Sequence, residues 1–140
     1  GSVMSVGKTF GEAFFKAQEA AGARLPLGKN VYINLSERDN IHLGALCREF
    51  ISAGFGILTT AEHKKELEEL GIKAERVKRL DGGRPNIGDA IINGEVDIVV
   101  NTAAGDSDIR RLVIRNSVAY MTTVPAAFAA VSGIKAAKEE

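Results

Sequence analysis

The sequence predicts an α/β fold, a three-layer α/β/α sandwich built on a five-stranded parallel sheet. Short β-prone runs alternate with helical segments along the chain, an order that places helices on both faces of a parallel sheet. The length of 140 residues suits one domain, and a hydrophobic fraction of 45% is ample for one packed core. The run Val96–Val100 is the most apolar of the β-prone runs, which is typical of a strand buried on both faces.

The N-terminal part of the chain is predicted to form a separate leading segment. Gly1 and Ser2 precede an internal methionine and are interpreted as a cloning scar. Residues 3–29 are interpreted as a leading helix and connector. Thr9 and Glu12 form a capping box at the start of the helical apolar spacing in Thr9–Ala21. The sheet domain is then expected over residues 30–140.

Five strands are predicted in the sheet domain. They share short runs of β-branched or other apolar residues bounded by glycine or polar positions: Val31–Leu35, Phe55–Thr59, Ile72–Val77, Val96–Val100 and Ala119–Thr122. The segment Ser36–Asn40 after the first strand is expected to be a polar loop.

Five helices are predicted between and after these strands. They share apolar residues at helical spacing: Ile41–Ala53, Ala61–Leu70, Asn86–Asn93, Asp106–Asn116 and Val124–Ala137. Gly54, Gly71 and Gly94 stand where three of them end, and Pro125 suits the first turn of the last. Cys47 lies on the apolar stripe of its helix and is expected in the core.

Charge and cysteine content argue against several classes of function. The 18 basic side chains balance the 18 acidic ones, so no net charge attracts nucleic acid or a membrane surface. The single cysteine excludes an intramolecular disulfide and a multi-cysteine zinc site, and neither His42 nor His63 has a partner at metal-ligand spacing. No apolar run reaches the roughly 18 residues of a membrane span. We therefore expect no nucleic-acid, membrane or metal partner, and a cytoplasmic protein.

Polar loops follow the predicted strands at the carboxyl edge of the sheet, where ligands of parallel sheets bind. The loops of interest are Ser36–Asn40, Thr59–Lys64, Lys78–Pro85 and Asn101–Asp108. Thr59 and Thr60 either hold a phosphate at a helix N-terminus or cap that helix. The basic residues around Gly82 and Gly83 either grip an anion or form a solvated turn. The Asn101–Thr102 pair either contacts a ligand or closes its strand as a turn.

Three stretches of the chain resemble a known family in the same order and with nearly the same spacing. They read MSVGKTFGEAFFKAQEAAG at Met4–Gly22, GRPNIGDAIINGEVDIVVNT at Gly83–Thr102 and IRRLVIRNSVAYMTT at Ile109–Thr123. The first is similar to the joining helix before the C-terminal, methylglyoxal synthase-like domain of the carbamoyl phosphate synthetase large subunit. The other two are similar to the centre and the closing segment of that domain.

The resemblance implies an allosteric regulatory domain that does not itself catalyse. Its effectors would be nucleoside monophosphates such as UMP or IMP. Its partners would be the ATP-grasp domains of the same parent chain and the glutaminase small subunit. The parent enzyme would use ATP with magnesium or manganese to make carbamoyl phosphate for arginine and pyrimidine synthesis, whereas the domain itself would hold no cofactor.

Two alternatives remain open beside this role. The same domain without effector binding would serve as a structural or oligomerisation module. A methylglyoxal synthase-type lyase is the remote alternative, and that family is expected to carry an aspartate base in a Gly-Gly-Asp turn. Here the turn is Gly82-Gly83-Arg84, and a cation cannot abstract a proton, so we expect no methylglyoxal production.

The family's phosphate-binding residues are matched only in part. The resemblance implies phosphate or ribose contacts for four residues, and three more are candidates because they are basic or lie beside the matched ones. The seven are Thr60, Arg79, Asn101 and Thr102, then Arg84, Thr59 and Lys64. The family's lysine falls at Asn40, its glycine at Glu62, and two of its hydroxyl residues at His63 and Ala103. We expect these departures to weaken, alter or abolish nucleotide binding.

Overall fold

The computed structural model of the chain describes residues 29–103 and 107–139. The predicted cloning scar and the predicted helix Thr9–Ala21 lie outside the described residues. The described part forms a five-stranded sheet of order β3-β2-β1-β4-β5, with every neighbouring pair parallel. Helices cover both faces of this sheet, so the predicted α/β fold with a five-stranded parallel sheet is confirmed.

Four of the five strands are shorter than the runs that predict them, and β1 keeps the predicted length but begins one residue earlier. They are β1 (Asn30–Asn34), β2 (Gly56–Thr59), β3 (Glu75–Arg76), β4 (Ile98–Asn101) and β5 (Ala119–Met121). The largest difference is at β3, where a strand is predicted over Ile72–Val77 and only two residues pair. Glu75 and Arg76 both pair with β2, since β3 is an edge strand and has no neighbour on its other side.

The helices agree with their predicted positions to within a few residues. They are α1 (Leu43–Ser52), α2 (Ala61–Glu69), α3 (Ile87–Ile92), α4 (Ser107–Arg115) and α5 (Val124–Lys138). The prediction of a polar loop over Ser36–Asn40 is wrong, because Glu37–His42 forms a 3₁₀ helix. The Ser36 hydroxyl donates to Asp39 Oδ2 at 2.9 Å, and Asp39 N–H donates to Ser36 O at 3.0 Å, which closes this tight turn.

Two apolar layers cover the faces of the sheet. One layer holds the buried faces of α1, α2 and α5, and the other holds those of α3 and α4. Val31 and Ile33 enter the first layer while Tyr32 enters the second, because successive strand residues point to opposite faces. Cys47 is fully buried in the first layer, as predicted, and burial raises the pKa of its thiol to about 12.

The winding of the sheet reverses between β1 and β4. From β1 the chain builds outward through β2 to β3, then returns to the other side of β1 for β4 and β5. The connection after β1 covers one face and the connection after β4 covers the opposite face. Neighbouring strands whose connections diverge in this way leave a crevice beyond their carboxyl ends.

A buried threonine hydroxyl links β2 to the central strand β1 beside this crevice. Thr59 Oγ1 donates to the Ile33 carbonyl at 2.6 Å, and Thr59 is fully buried. We predict that Thr59→Val, which keeps the shape and removes the donor, lowers the free energy of unfolding by about 1 kcal/mol. Urea denaturation measures the change. Thr122→Val at an exposed position is the control. Equal midpoints for the two variants would contradict a stabilising role for this hydrogen bond.

Candidate functional site

A cleft of about 530 Å³ opens at the carboxyl edge of the sheet where the winding reverses. We call it the switch-point cleft. Its apolar floor is built from four almost fully buried side chains: Tyr32, Leu35, Ile87 and Ile109. They come from β1, the residue after β1, α3 and α4, so elements on both faces of the sheet shape the cleft. A concave site with an apolar floor and a polar rim is the usual form of a small-molecule binding site.

The rim of the switch-point cleft carries more carboxylates than cations. Glu37, Asp81 and Asp108 line it together with a single guanidinium, that of Arg79. Arg79 also forms an exposed ion pair, at 3.6 Å, with Glu62, which does not line the cleft. The lining therefore carries a net negative charge.

A smaller recess of about 180 Å³ lies beside the cleft, at the N-terminus of α2. We call it the α2 recess. Thr60, Glu62 and Lys78 line it, and it shares Arg79 and Asp81 with the switch-point cleft. The free N–H groups at a helix N-terminus favour an anion, but the Glu62 carboxylate in the first turn already supplies a negative charge there.

The two threonines before α2 have different environments. The Thr59 hydroxyl faces β1, as described above. Thr60 is the N-cap of α2, and its hydroxyl accepts the His63 N–H at 3.4 Å. The capping alternative therefore applies to Thr60, whereas the Thr59 hydroxyl links β2 to β1. Thr60 also lines the α2 recess, so its phosphate contact stays a prediction.

His63 connects the first turn of α2 to the end of β1. Its ring is buried, with 8% of the residue exposed, and Nε2 lies 3.1 Å from both the N–H and the carbonyl oxygen of Leu35. The other ring nitrogen, Nδ1, is buried and has no hydrogen-bond partner among the described residues. Sequence analysis identifies no partner for His63, because a backbone group 28 positions away leaves no sequence signal.

Asn101 and Thr102 close the end of β4. The Asn101 Oδ1 atom accepts the Ala103 N–H at 3.3 Å and the Asn34 Nδ2 at 3.4 Å, and Thr102 Oγ1 accepts the Ser36 N–H at 2.8 Å. The Asn101 contact with Ala103 is the Asx turn of the turn alternative, whereas the other two contacts join the end of β4 to the end of β1. Asn101 and Thr102 do not line the switch-point cleft, but their partners Asn34, Ser36 and Ala103 do.

One carboxylate next to this turn is stabilised in its charged form. The Thr102 hydroxyl, and after it the Ser36 hydroxyl, lowers the pKa of Asp39 by hydrogen bonding to the carboxylate.

The remaining candidate cations pair with carboxylates of their own segments. Arg84 Nη2 lies 2.5 Å from Asp89, and this hydrogen bond lowers the pKa of the Asp89 carboxyl and raises that of the guanidinium. Lys64 pairs with Glu68 at 2.9 Å, one helical turn further along α2. Neither basic side chain lines the cleft or the recess. At the position of the family's lysine, the Asn40 amide donates to both Glu66 oxygens.

Of the seven predicted residues, the structure brings Thr60 and Arg79 together in the α2 recess. Sequence reasoning missed the carboxylates Glu37, Asp81 and Asp108 because it searched the loops for cations. The available signal was an acidic residue a few positions after each of β1, β3 and β4.

Residues 29–103 and 107–139 contain neither a metal-binding cluster nor a membrane-spanning helix. No group of three or more histidine, cysteine, aspartate and glutamate residues could hold a metal ion there. None of the described helices is long and apolar enough to cross a membrane.

We predict that the His63 ring is a structural element of this edge. In His63→Thr the buried Leu35 N–H loses its acceptor, which should lower the free energy of unfolding by about 1–3 kcal/mol. The matched control is His42→Thr, since His42 is exposed. Chemical denaturation followed by circular dichroism compares the two variants. Equal stabilities would overturn the structural role.

Sequence comparison relates the chain to known proteins. The family model described as "MGS-like domain" matches residues 42–123. The C-terminal section of the carbamoyl phosphate synthase large chain of Aquifex aeolicus is 41% identical over 99% of this chain and 27% of its own length. The large chain of Archaeoglobus fulgidus is 41% identical over 99% of this chain and 14% of its own length.

A plant relative is also similar over almost the whole of this chain. The arginine-specific, chloroplastic carbamoyl phosphate synthase large chain of Arabidopsis thaliana is 36% identical over 99% of this chain and 12% of its own length. The chain thus spans 27% or less of these three relatives.

Proposed function

The chain belongs to the MGS-like domain family, and on this premise we propose that it is the effector-binding regulatory domain of a carbamoyl phosphate synthase large chain. The switch-point cleft carries the proposal. It lies where parallel sheets bind small molecules and combines an apolar floor with a polar rim. Its ligand would bias the parent enzyme through the contacts of this domain with the rest of the chain.

Several side chains suited to nucleophilic or base chemistry are engaged away from the cleft. The Cys47 thiol is fully buried with a raised pKa, and the Ser36 hydroxyl donates to a carboxylate. The His63 ring contacts the Leu35 backbone instead of the cleft. Arg84, at the position of the lyase base, pairs with Asp89. These engagements favour a domain that binds its ligand unchanged.

The parent assembly belongs to the same proposal. The ATP-grasp domains of one chain and a glutaminase small subunit would be the partners, with ATP and magnesium or manganese bound by those catalytic domains. The parent enzyme would be cytoplasmic and would serve arginine or pyrimidine synthesis. The similarity to the arginine-specific large chain of Arabidopsis thaliana supports the arginine route.

UMP and IMP are the effectors that the resemblance suggests, and we propose that their affinity here is low. The phosphate would meet Glu62 at the N-terminus of α2, and the family's lysine is replaced by Asn40, whose amide is held by Glu66. Arg79 is the one cation that matches the family's pattern, and it already forms an ion pair with Glu62. These contacts also support the alternative of a structural module that has lost its effector.

We predict that UMP, IMP and inorganic phosphate bind this chain with dissociation constants above about 1 mM, a binding free energy weaker than about −4 kcal/mol. Glu62→Gln should strengthen phosphate binding by up to about fivefold. A like charge some 4 Å away in water costs about 1 kcal/mol. Isothermal titration calorimetry measures both. Glu69→Gln, at an exposed position on the last turn of α2, is the control.

A micromolar dissociation constant for UMP or IMP would overturn the proposal of low nucleotide affinity. It would leave the proposed effector role in place. A low affinity that Glu62→Gln does not improve would assign the loss to Asn40 and His63 instead.

A further inference from the structure

An apolar groove of about 300 Å³ lies at the amino edge of the sheet, where β1 and β2 begin. Ile51 from the last turn of α1 lines the groove and is 42% exposed. Phe55 and Ile57 form its buried floor, and Asn30 of β1 lines one side. The groove therefore leaves an isoleucine open to solvent at the point where the chain enters the sheet.

A carboxylate on the other side of β1 has one oxygen without a described partner. The Asp97 N–H donates to the Asn30 carbonyl at 3.0 Å, and the Asp97 carboxylate accepts the Asn30 N–H. Its Oδ2 atom is buried and has no hydrogen-bond partner among the described residues. Burial raises the pKa of this carboxyl, although the Lys29 charge and the Asn30 hydrogen bond act in the opposite direction. Because buried carboxylate oxygens accept hydrogen bonds, a further donor is expected beside Asn30.

The direction of β1 indicates which preceding residue supplies this donor. Lys29, the first described residue, is already aligned with β2, because its carbonyl accepts the Gly56 N–H at 2.7 Å. Backbone N–H groups alternate between the two sides of an extended strand. In a continued strand the Gly28 N–H therefore has the same direction as the Asn30 N–H, which is toward Asp97.

The same alternation gives the side of the sheet on which the Leu27 side chain falls. Leu27 has the direction of Val31, whose side chain enters the apolar layer that includes α1. Three extended residues span at most about 11 Å, so Leu27 stays close to Asn30, which lines the groove. Leu27 is thus on the side of Ile51 and within reach of the groove.

We propose that the chain immediately before the sheet domain docks on this amino edge, with the Leu27 side chain in the apolar groove and the Gly28 N–H on Asp97 Oδ2. The occupant is this segment because Asn30 contacts both features and the preceding residues must pass between them. The link to the preceding part of the chain is then fixed to the sheet. β1 runs from this docked segment to the switch-point cleft, which Asn34 lines. The docking does not depend on the proposed effector role.

A double-mutant cycle on the 140-residue chain tests the contact of Leu27. Leu27→Ser should raise the equilibrium constant of unfolding at least about tenfold, because a docked leucine buries apolar area and a solvated one does not. Ile51→Ala should cost about threefold less in the Leu27→Ser background than in the unaltered chain. The control is Ile114→Ala, 67% exposed on α4, which should be additive with Leu27→Ser. Urea denaturation measures all variants.

Hydrogen exchange of the Gly28 amide, followed by nuclear magnetic resonance, tests the second contact in the unaltered chain. The amide should exchange at least about tenfold more slowly than in an unstructured peptide of the same sequence. Asp97→Asn keeps one oxygen for Asn30 and removes the second acceptor, so it should abolish the protection. The matched control is Asp81→Asn, at an exposed loop position, which should keep it.

Each outcome decides the proposal. Coupling of Leu27 to Ile51 alone, together with Gly28 protection that depends on Asp97, is the expected result. An unfolding constant that Leu27→Ser leaves unchanged, or equal coupling to Ile51 and Ile114, would overturn the docking. Exchange of the Gly28 amide at the peptide rate, or protection that survives Asp97→Asn, would overturn it as well.

Discussion

The reversal of strand order between β1 and β4 is the constraint on which the rest of this structure depends. It sends the connections after two neighbouring strands to opposite faces of the sheet, so neither connection covers the carboxyl ends of both. The switch-point cleft follows directly. Its floor needs residues from both faces, which is why Leu35 and Ile109, from opposite layers of the core, meet in one lining.

The same edge must satisfy the polar groups that the ending strands leave behind. It does so with its own side chains: the His63 ring holds the Leu35 backbone, Thr102 accepts from Ser36, and Asn101 accepts from Ala103. Groups that the family resemblance assigns to a phosphate are therefore engaged inside the protein. The two cavities at this edge differ in charge, because three carboxylates line the switch-point cleft whereas Arg76 and Lys78 line the α2 recess.

Much of the fold could be predicted from the sequence because its signals are local. Alternating apolar runs and glycine stops predict five strand and helix units, and the apolar spacing around Cys47 predicts its burial. The 3₁₀ helix at Glu37–His42 could not be predicted, since it depends on the Ser36–Asp39 contact in a segment without apolar spacing. The two-residue length of β3 depends on its edge position, which no local pattern records.

The candidate site was less predictable for a physical reason. The family resemblance assigns its contacts to loops at the carboxyl edge, and Thr60 and Arg79 both line the α2 recess there. The acidic lining, however, is assembled by Glu37, Asp81 and Asp108 from three connections, and only the tertiary fold shows that they share a cavity.

Amide chemical-shift mapping of the isotope-labelled chain during a millimolar UMP titration shows whether this edge of the sheet binds an effector, because it locates the ligand. We expect weak, concentration-dependent shifts at Ser36, Arg79 and Asp81, which line the switch-point cleft. Shifts confined to residues outside the cleft and the α2 recess, or no shifts at all, would overturn an effector site at this edge.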